Sequence, residues 1–424
     1  MSNNNNGNNL GQYFTTNDEL KDKLYSFILN NPKTILEPSI GQGDLVTYVS
    51  EKIKNVKFDM YEIDKDIKLL DGMDNYIGKG DKICKNGKSN KENKSDKNGK
   101  SNKESKNGKI IYGDFMIQEI NKKYATIIGN PPYIRTKKGN LYIDFTSKCY
   151  NLLDTNGELI FIVPSDFLKL TSASKLLNEM MTNGTFTHIY HPHNENLFEN
   201  ASIDVIIFRY CKNNLLEKKV MYNDKIMHII NSSGLITFSE EQNENENNIM
   251  FKDKFDIYVG IVSGKEDVYK NANYGNIEVL NGKDKKEKYI YIEKYPCDNE
   301  DINNHLLENK EVLLERGIRK FNNSNWFEWG APRNISSIRK HVDKDCIYIY
   351  NLTRQSSIAF EGKVCYFGGS LIMLKPKDDF VNCNLSTIVT YLNSEKFKKN
   401  FMFSGRFKIG HRQISNSYIP DECL

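Results

Sequence analysis

From residue 18 to residue 210 the sequence alternates between helical and strand-like hydrophobic rhythms, and no other feature narrows the fold as far. Residues 18–30 place apolar side chains at Leu20, Leu24, Phe27 and Ile28, the three-to-four spacing of an amphipathic helix. Residues 34–37 read as a short strand entering a glycine-containing turn, 45–54 as a helix, and 58–62 and 110–112 as strands. Residues 124–129, with Ala-Thr-Ile-Ile at their centre, have the character of a buried strand. A helix over 142–153 stops near Asn156-Gly157, and a strand over 158–163, a helix over 172–182 and strands over 187–190 and 204–210 complete the series. This β-α order predicts an α/β fold, a Rossmann-like and mostly parallel sheet with helices on both faces. Ligands of such sheets bind at the carboxyl ends of the strands.

The length, 424 residues, allows two domains or three, and 38% hydrophobic with 27% charged residues fits a globular protein with a core. The Asn-rich stretch 1–10 is expected to be disordered. Residues 11–215 form the expected first domain. Within it, 79–109 is a low-complexity insertion whose Lys-Asn-Gly-Lys-Ser-Asn-Lys-Glu at 85–92 returns in close copy at 97–104. Nearly free of apolar residues, it reads as a solvated surface loop. Residues 216–424, where the alternation becomes irregular, form the expected second, α+β domain, with the boundary between Cys211 and Asn231. The net charge of +4 permits a nucleic-acid partner without demanding one. The eight cysteines contain no Cys-x-x-Cys pair, and no apolar run approaches the ~20 residues that cross a bilayer, so a soluble intracellular protein without a membrane partner is expected.

Chemistry-bearing residues fall at strand ends. After the strand at 34–37, Pro38-Ser39-Ile40-Gly41-Gln42-Gly43 leads into a helix; two residues without side chains let a ligand approach the backbone. A lone Gly-x-Gly would be only a turn. Here Glu62 ends the next strand, where an acceptor-only carboxylate takes the hydroxyls of a ribose. Gly113-Asp114-Phe115 ends the third, where an Asp takes the exocyclic amine of an adenine while the ring packs on its face.

Gly41-x-Gly43 with Glu37-Pro38 resembles the S-adenosylmethionine loop of amino-methyltransferases. Gly11-Gln12-Tyr13-Phe14-Thr15-Thr16 is similar to the upstream motif of the adenine-N6 enzymes, Gly-Gln-(Tyr/Phe)-(Tyr/Phe)-Thr-Pro, with Thr16 in place of the common Pro. With Asn130-Pro131-Pro132-Tyr133 downstream, the order of motifs resembles the gamma class of DNA adenine-N6 methyltransferases of type II restriction–modification systems. The resemblance covers about residues 11–210. It implies a cofactor site built from Tyr13, Phe14, Thr15, Glu37, Pro38, Gly41, Gly43, Glu62, Ile63, Asp114, Phe115 and Asn130, holding S-adenosylmethionine. It also implies that Phe198, in Leu197-Phe198-Glu199-Asn200, covers one face of a flipped adenine.

The tetrapeptide suits that chemistry. The lone pair of an adenine N6 is delocalised into the ring, so the amine is a poor nucleophile. Two acceptors, the Asn130 side-chain oxygen and the Pro131 carbonyl, can hold its hydrogens and draw it towards tetrahedral geometry. Successive prolines stiffen that carbonyl, and Tyr133 offers a face for the base. The reaction asks for no metal. A base inside a duplex is out of reach and must be flipped out. Pro164-Ser165-Asp166-Phe167 also resembles a family pattern and reads as structural or pocket-lining.

The second domain is expected to recognise the target in double-stranded DNA, opening with residues 255–264. Arg333, Arg354, Arg406, Lys408 and Arg412 are candidates for base edges and phosphates. Two other readings use the same tetrapeptide: methylation of RNA or of a protein glutamine. About ten residues before Gly11 and roughly two hundred after Tyr210 favour DNA over these. A fused nuclease would need a domain before Gly11, and Glu361-Gly362-Lys363 is read as chance. A DNA-binding module with a dead methyltransferase fold is disfavoured by the intact motifs. The expected partners are double-stranded DNA and, where one exists, a restriction endonuclease acting on the same site; the expected state is a monomer.

Overall fold

The computed structural model describes residues 13–76, 108–137, 139–199, 201–215, 218–241 and 248–424. The Asn-rich start, Gly11, Gln12 and nearly all of 79–109 lie outside the described residues. The chain divides into two compact units, Met1–Gln242 and Asn243–Leu424.

In the first unit β1 (Thr34–Glu37), β2 (Lys57–Glu62), β3 (Gly108–Tyr112), β4 (Tyr124–Gly129), β5 (Leu153–Pro164), β6 (Gly184–Tyr190), β7 (Val205–Lys212), β8 (Lys219–Tyr222), β9 (Lys225–Ser232) and β10 (Leu235–Ser239) share one sheet, in the order β10-β9-β8-β6-β7-β5-β4-β1-β2-β3. From β3 to β5 all pairs are parallel, while β7 runs antiparallel between β5 and β6. Helices α1 (Asp18–Ser26), α2 (Asp44–Lys52), α3 (Leu141–Leu152) and α4 (Ser174–Thr182) lie within the same unit. Successive side chains of a strand point to opposite faces. Ile127 accordingly joins one core with Tyr142 and Leu177, and Ile128 another with Leu20 and Val46. Both faces are covered, as the apolar run in β4 requires.

Two expectations need correction. The helix foreseen over 18–30 ends at Ser26. The Glu158 carboxylate takes the amide hydrogens of Leu29 and Asn30, at 3.1 Å, and pulls the chain out of helical geometry. The same carboxylate, fully buried, meets Arg209 Nε at 2.8 Å and Thr126 Oγ1 at 2.8 Å. Deleting one partner of such a pair strands a buried charge, at about 3–5 kcal/mol. The second correction is the boundary. Residues 216–239 were expected in the second domain, yet β8 pairs in parallel with β6, and β9 and β10 extend the sheet as a meander. Asn223 and Asp224, with φ of 43° and 65°, make the tight turn that returns β8 into β9.

The second unit is α+β. Strands Phe255–Val259, Leu371–Pro376, Asp345–Tyr350 and Ala359–Lys363 form an antiparallel sheet in that order. A separate core gathers Trp326, Phe327 and Trp329, beside which the buried Arg316 donates to the carbonyls of Leu313, Ser263 and Trp326. Among the described residues no helix is long and apolar enough to cross a membrane.

Candidate active site

A cavity of about 340 Å³ opens at the carboxyl ends of β1, β2, β3 and β4. Eleven of the twelve residues expected to hold a cofactor line it: Tyr13, Phe14, Thr15, Glu37, Pro38, Gly41, Glu62, Ile63, Asp114, Phe115 and Asn130. The turn after β1 needs Gly41 twice over. Its φ is +57°, and a Cβ there would stand 3.2 Å from the Phe14 ring. Gly43 departs from expectation and does not line the cavity. At φ +99° it caps α2, packed so closely that a Cβ would meet the Met73 side chain at 2.8 Å. Its place is structural, while its neighbour Asp44, unnoticed in the sequence, does face the cavity. Asp44 directly follows the glycine turn at the start of α2, and that position was the available signal.

Carboxylates give the cavity its electrostatics. Glu62 accepts from the Gly41 amide and the Asp64 amide, both at 2.9 Å, and so ties the glycine turn to the end of β2. Burial raises its pKa. Glu37 is 1% exposed, and burial lifts its pKa to about 8 against the counter-effect of the Ser39 amide, 3.0 Å away. Gly129, ending β4, leaves the room this carboxyl needs: a Cβ would lie 3.0 Å from Glu37 Oε1. Asp114 caps the turn after β3 through Met116, at 2.8 Å, and Phe115 packs edge-on against Tyr61. Lys148 of α3 donates to the carbonyls of Phe115, Met116 and Gln118 at 2.5–3.2 Å and fixes this turn from beneath. Its role was not legible in the sequence, because Lys148 is far from the turn along the chain.

Asn130 stands on the cavity wall and faces a different environment behind it. Its amide nitrogen donates to the Tyr13 carbonyl at 2.7 Å and to Thr15 Oγ1 at 3.1 Å. Its oxygen accepts from the Tyr133 hydroxyl at 2.5 Å. Pro131 is buried, and of the tetrapeptide only Asn130 and Pro132 line the cavity. Tyr133, Tyr13 and Phe198 form a ring cluster: Tyr13 stacks on Tyr133 at 5.4 Å, and Phe198 meets Tyr133 edge-on at 6.3 Å. Phe198 is 5% exposed. The residues singled out for base contact are together, and Tyr13, expected to serve the cofactor alone, is with them.

In the second unit the short strands Leu352–Thr353, Met402–Phe403 and Arg406–Lys408 form a three-stranded sheet that gathers Arg406 and Lys408 beside Arg354. Lys408 and Arg354 are exposed, Arg406 half-buried. Arg333 is exposed ahead of the helix Ile335–His341. Arg412 lies on His411–Ser415, partly buried, which lowers its pKa.

Residues 48–198 match the family model of the Eco57I restriction-modification methylase. That range takes in Glu62, Asp114, the tetrapeptide and Phe198. The type II methyltransferase M.HincII of Haemophilus influenzae is 26% identical over 226 residues, which cover 48% of this chain and 37% of the relative. M.AccI of Acinetobacter calcoaceticus is 23% identical over 225 residues, 47% of this chain and 36% of the relative. The chain thus spans little more than a third of the length of these curated relatives. A solved structure of the type IIL restriction-modification enzyme MmeI in complex with DNA is similar at a TM-score of 0.58 and 11% identity, covering 97% of this chain and 64% of that one. The fold is that of the α/β methyltransferases.

Proposed function

We propose that this protein transfers a methyl group from S-adenosylmethionine to N6 of an adenine flipped out of duplex DNA. One observation carries the reading. Asn130 is shared between a cavity lined by carboxylates and an aromatic cluster fit for a base, so donor and acceptor can meet at one side chain.

The cavity suits the cofactor. It has the size of a small-molecule site, a glycine cradle that a Cβ would close, and carboxylates for hydroxyl and ammonium groups. Glu62 would hold the ribose, Asp114 and Phe115 the adenine, and Glu37 with the turn at Gly41 the methionine end. The group supplies an electrophilic methyl on a sulfonium.

At the other side the Asn130 oxygen, an acceptor with two lone pairs, keeps Tyr133 on one and can take an N6 hydrogen on the second. The Pro131 carbonyl takes the other hydrogen. Held by these two acceptors, N6 would face the methyl that a cofactor in the cavity presents, and the proton it sheds would pass to water. Holding the two reactants in line is most of the work. The second unit, with Arg406 and Lys408 on one small sheet beside Arg354, and Arg333 and Arg412 elsewhere in the unit, recognises the target sequence. The names of the relatives support DNA as substrate and a modification role, in which methylation shields a site from a restriction endonuclease.

Purified protein, tritiated S-adenosylmethionine and DNA from a host lacking adenine methylation are expected to yield N6-methyladenine, and sequencing DNA from expressing cells maps the site. Label on cytosine would overturn the adenine assignment. Label on ribosomal RNA or on a release-factor glutamine would overturn DNA.

A further inference from the structure

At the ends of β5, β6 and β7 a buried polar network joins three segments of the chain. Ser165 follows β5, His191 follows β6 and Asp204 precedes β7, and these strands are neighbours in the sheet. All three residues are under 10% exposed. The Asp204 carboxylate accepts from Ser165 Oγ at 2.6 Å and meets His191 Nε2 at 2.9 Å. The other ring nitrogen, Nδ1, lies 3.0 Å from the Tyr222 hydroxyl. A carboxylate only accepts, so the hydrogen between this pair sits on Nε2. Asn223 pairs twice with the His191 backbone, at 2.7 Å each, and His193 lays its ring 3.7 Å from that of His191.

This is not a nucleophile array. The serine hydroxyl addresses the carboxylate and the imidazole addresses Asp204 and Tyr222, so no base faces a nucleophile. Nor do the strands need it for pairing. The β5–β7 ladder runs from Glu158 to Pro164, and the β6–β7 ladder from Gly184 to Tyr190. What the network fixes in addition is the exit and re-entry of the segment between His191 and Asp204. That segment carries Phe198, whose ring meets Tyr133 and Tyr13.

We infer that Asp204, with His191 and Ser165, is a positioning group for the base site, clamping the ends of the segment that presents Phe198. The inference rests on the proposed adenine methylation. A displacement of about 1 Å in such a wall costs up to about a hundredfold in rate without touching cofactor contacts. The clamp therefore acts on turnover and base flipping, and the cofactor cavity on the far side of Asn130 keeps its affinity.

The test compares wild type, Asp204→Ala, Asp204→Asn and Ser165→Ala in three measurements. These are kcat on DNA lacking adenine methylation, the Kd for S-adenosylmethionine, and the fluorescence rise of 2-aminopurine placed at the mapped adenine. Asp204→Ala is expected to lower kcat about 10- to 100-fold and abolish most of the fluorescence rise, with the cofactor Kd within about threefold. Asp204→Asn, which keeps one acceptor oxygen and the shape, restores part of both, and Ser165→Ala loses a few-fold. If Asp204→Ala does not fold, Ser165→Ala and His191→Gln make the same comparison. Variants that match wild type in kcat and fluorescence, or that lose cofactor affinity in step with kcat, overturn the clamp. A wild-type protein that labels no DNA overturns the methylation reading and the clamp with it; an active wild type with indifferent variants overturns the clamp alone.

Discussion

The two sides of Asn130 are built differently. On the cofactor side the chain keeps a cavity of about 340 Å³ open, and its polar groups are held by its own backbone: Glu62 by the Gly41 amide, Asp114 by the Met116 amide. On the side proposed for the base, the described residues pack ring on ring. Tyr13 lies on the face of Tyr133, and Phe198 closes the cluster at its edge. One half of the site is preformed and the other is filled by the protein's own rings. In the proposed reaction a small cofactor enters a cavity already shaped for it, whereas a base withdrawn from a duplex has to displace the Tyr13 ring from the face of Tyr133.

The comparison breaks first at Asn130, the residue common to both halves. Asn130→Ala removes the acceptor from the reacting amine and is expected to lower kcat by about a thousandfold, the scale of losing one polar group that acts in the transition state. Cofactor affinity should change by no more than about threefold, because Asn130 is one of many residues lining the cavity. Steady-state turnover with tritiated donor, beside equilibrium dialysis of the cofactor, separates the two. A cofactor Kd that collapses with kcat would mean the halves are not separable at this residue.

Next in size is a change confined to the open half. Glu62→Ala removes a carboxylate that would accept ribose hydroxyls and that already tethers the Gly41 amide. Hydrogen bonds to a charged partner contribute about 1.5–3 kcal/mol, so cofactor affinity should fall roughly 10- to 100-fold. Turnover at saturating cofactor should move far less. An unchanged Kd would remove Glu62 from the binding set.

What could be read in the sequence follows the same division. Residues of the open half sit at strand ends, within a few positions of a glycine or an acidic residue whose chemistry is local. Glu62 and Asp114 were therefore identifiable from their places at strand ends, as were the strands 34–37 and 124–129, while Glu37 entered only through the likeness of its loop to that of the amino-methyltransferases. Gly43 misled because a spacing shared by ligand turns and helix caps does not tell which glycine meets the ligand. The filled half depends on contacts between distant segments, Tyr13 with Tyr133 and Asp204 with Ser165 and His191, and in the open half the same holds for Lys148 under the turn at Phe115. Nothing local marks such partners. The misplaced boundary has the same cause, since whether 219–239 extends the sheet is decided by the edge that β6 offers.

Glu37 extends the comparison to pH. Its pKa, lifted to about 8 by burial, leaves the carboxyl mostly protonated at neutral pH when no cation faces it. A cationic ligand favours the ionised form, so binding should release a proton. Affinity should then rise towards a limit of about tenfold per pH unit below 8 and level off above it. In stability the sign is opposite: a raised carboxyl pKa stabilises the fold fully below the unfolded value of 4.5, and that contribution is lost as pH rises through about 8. Calorimetric titration at pH 7 in two buffers of different ionisation enthalpy counts the proton, and Glu37→Gln should abolish it. Binding without proton release would place Glu37 away from the ligand's charge.

The smallest effect belongs to the filled half, and its direction is what matters. If a base is to lie on Tyr133, the Tyr13 ring must leave that face, and its stacking opposes entry. An aromatic pair is worth about 0.5–1.5 kcal/mol beyond its buried area, so Tyr13→Ala should lower the KM for DNA about two- to tenfold. The substitution keeps the Tyr13 carbonyl that receives the Asn130 amide, so the orientation of Asn130 is preserved. At saturating cofactor kcat should hold or rise, and 2-aminopurine at the target should brighten at lower enzyme concentration. The opposite outcome, a higher KM with a weaker fluorescence rise, would make Tyr13 a wall that embraces the base instead of a ring that yields to it. The cluster would then be a finished half-site, and the asymmetry across Asn130 would disappear.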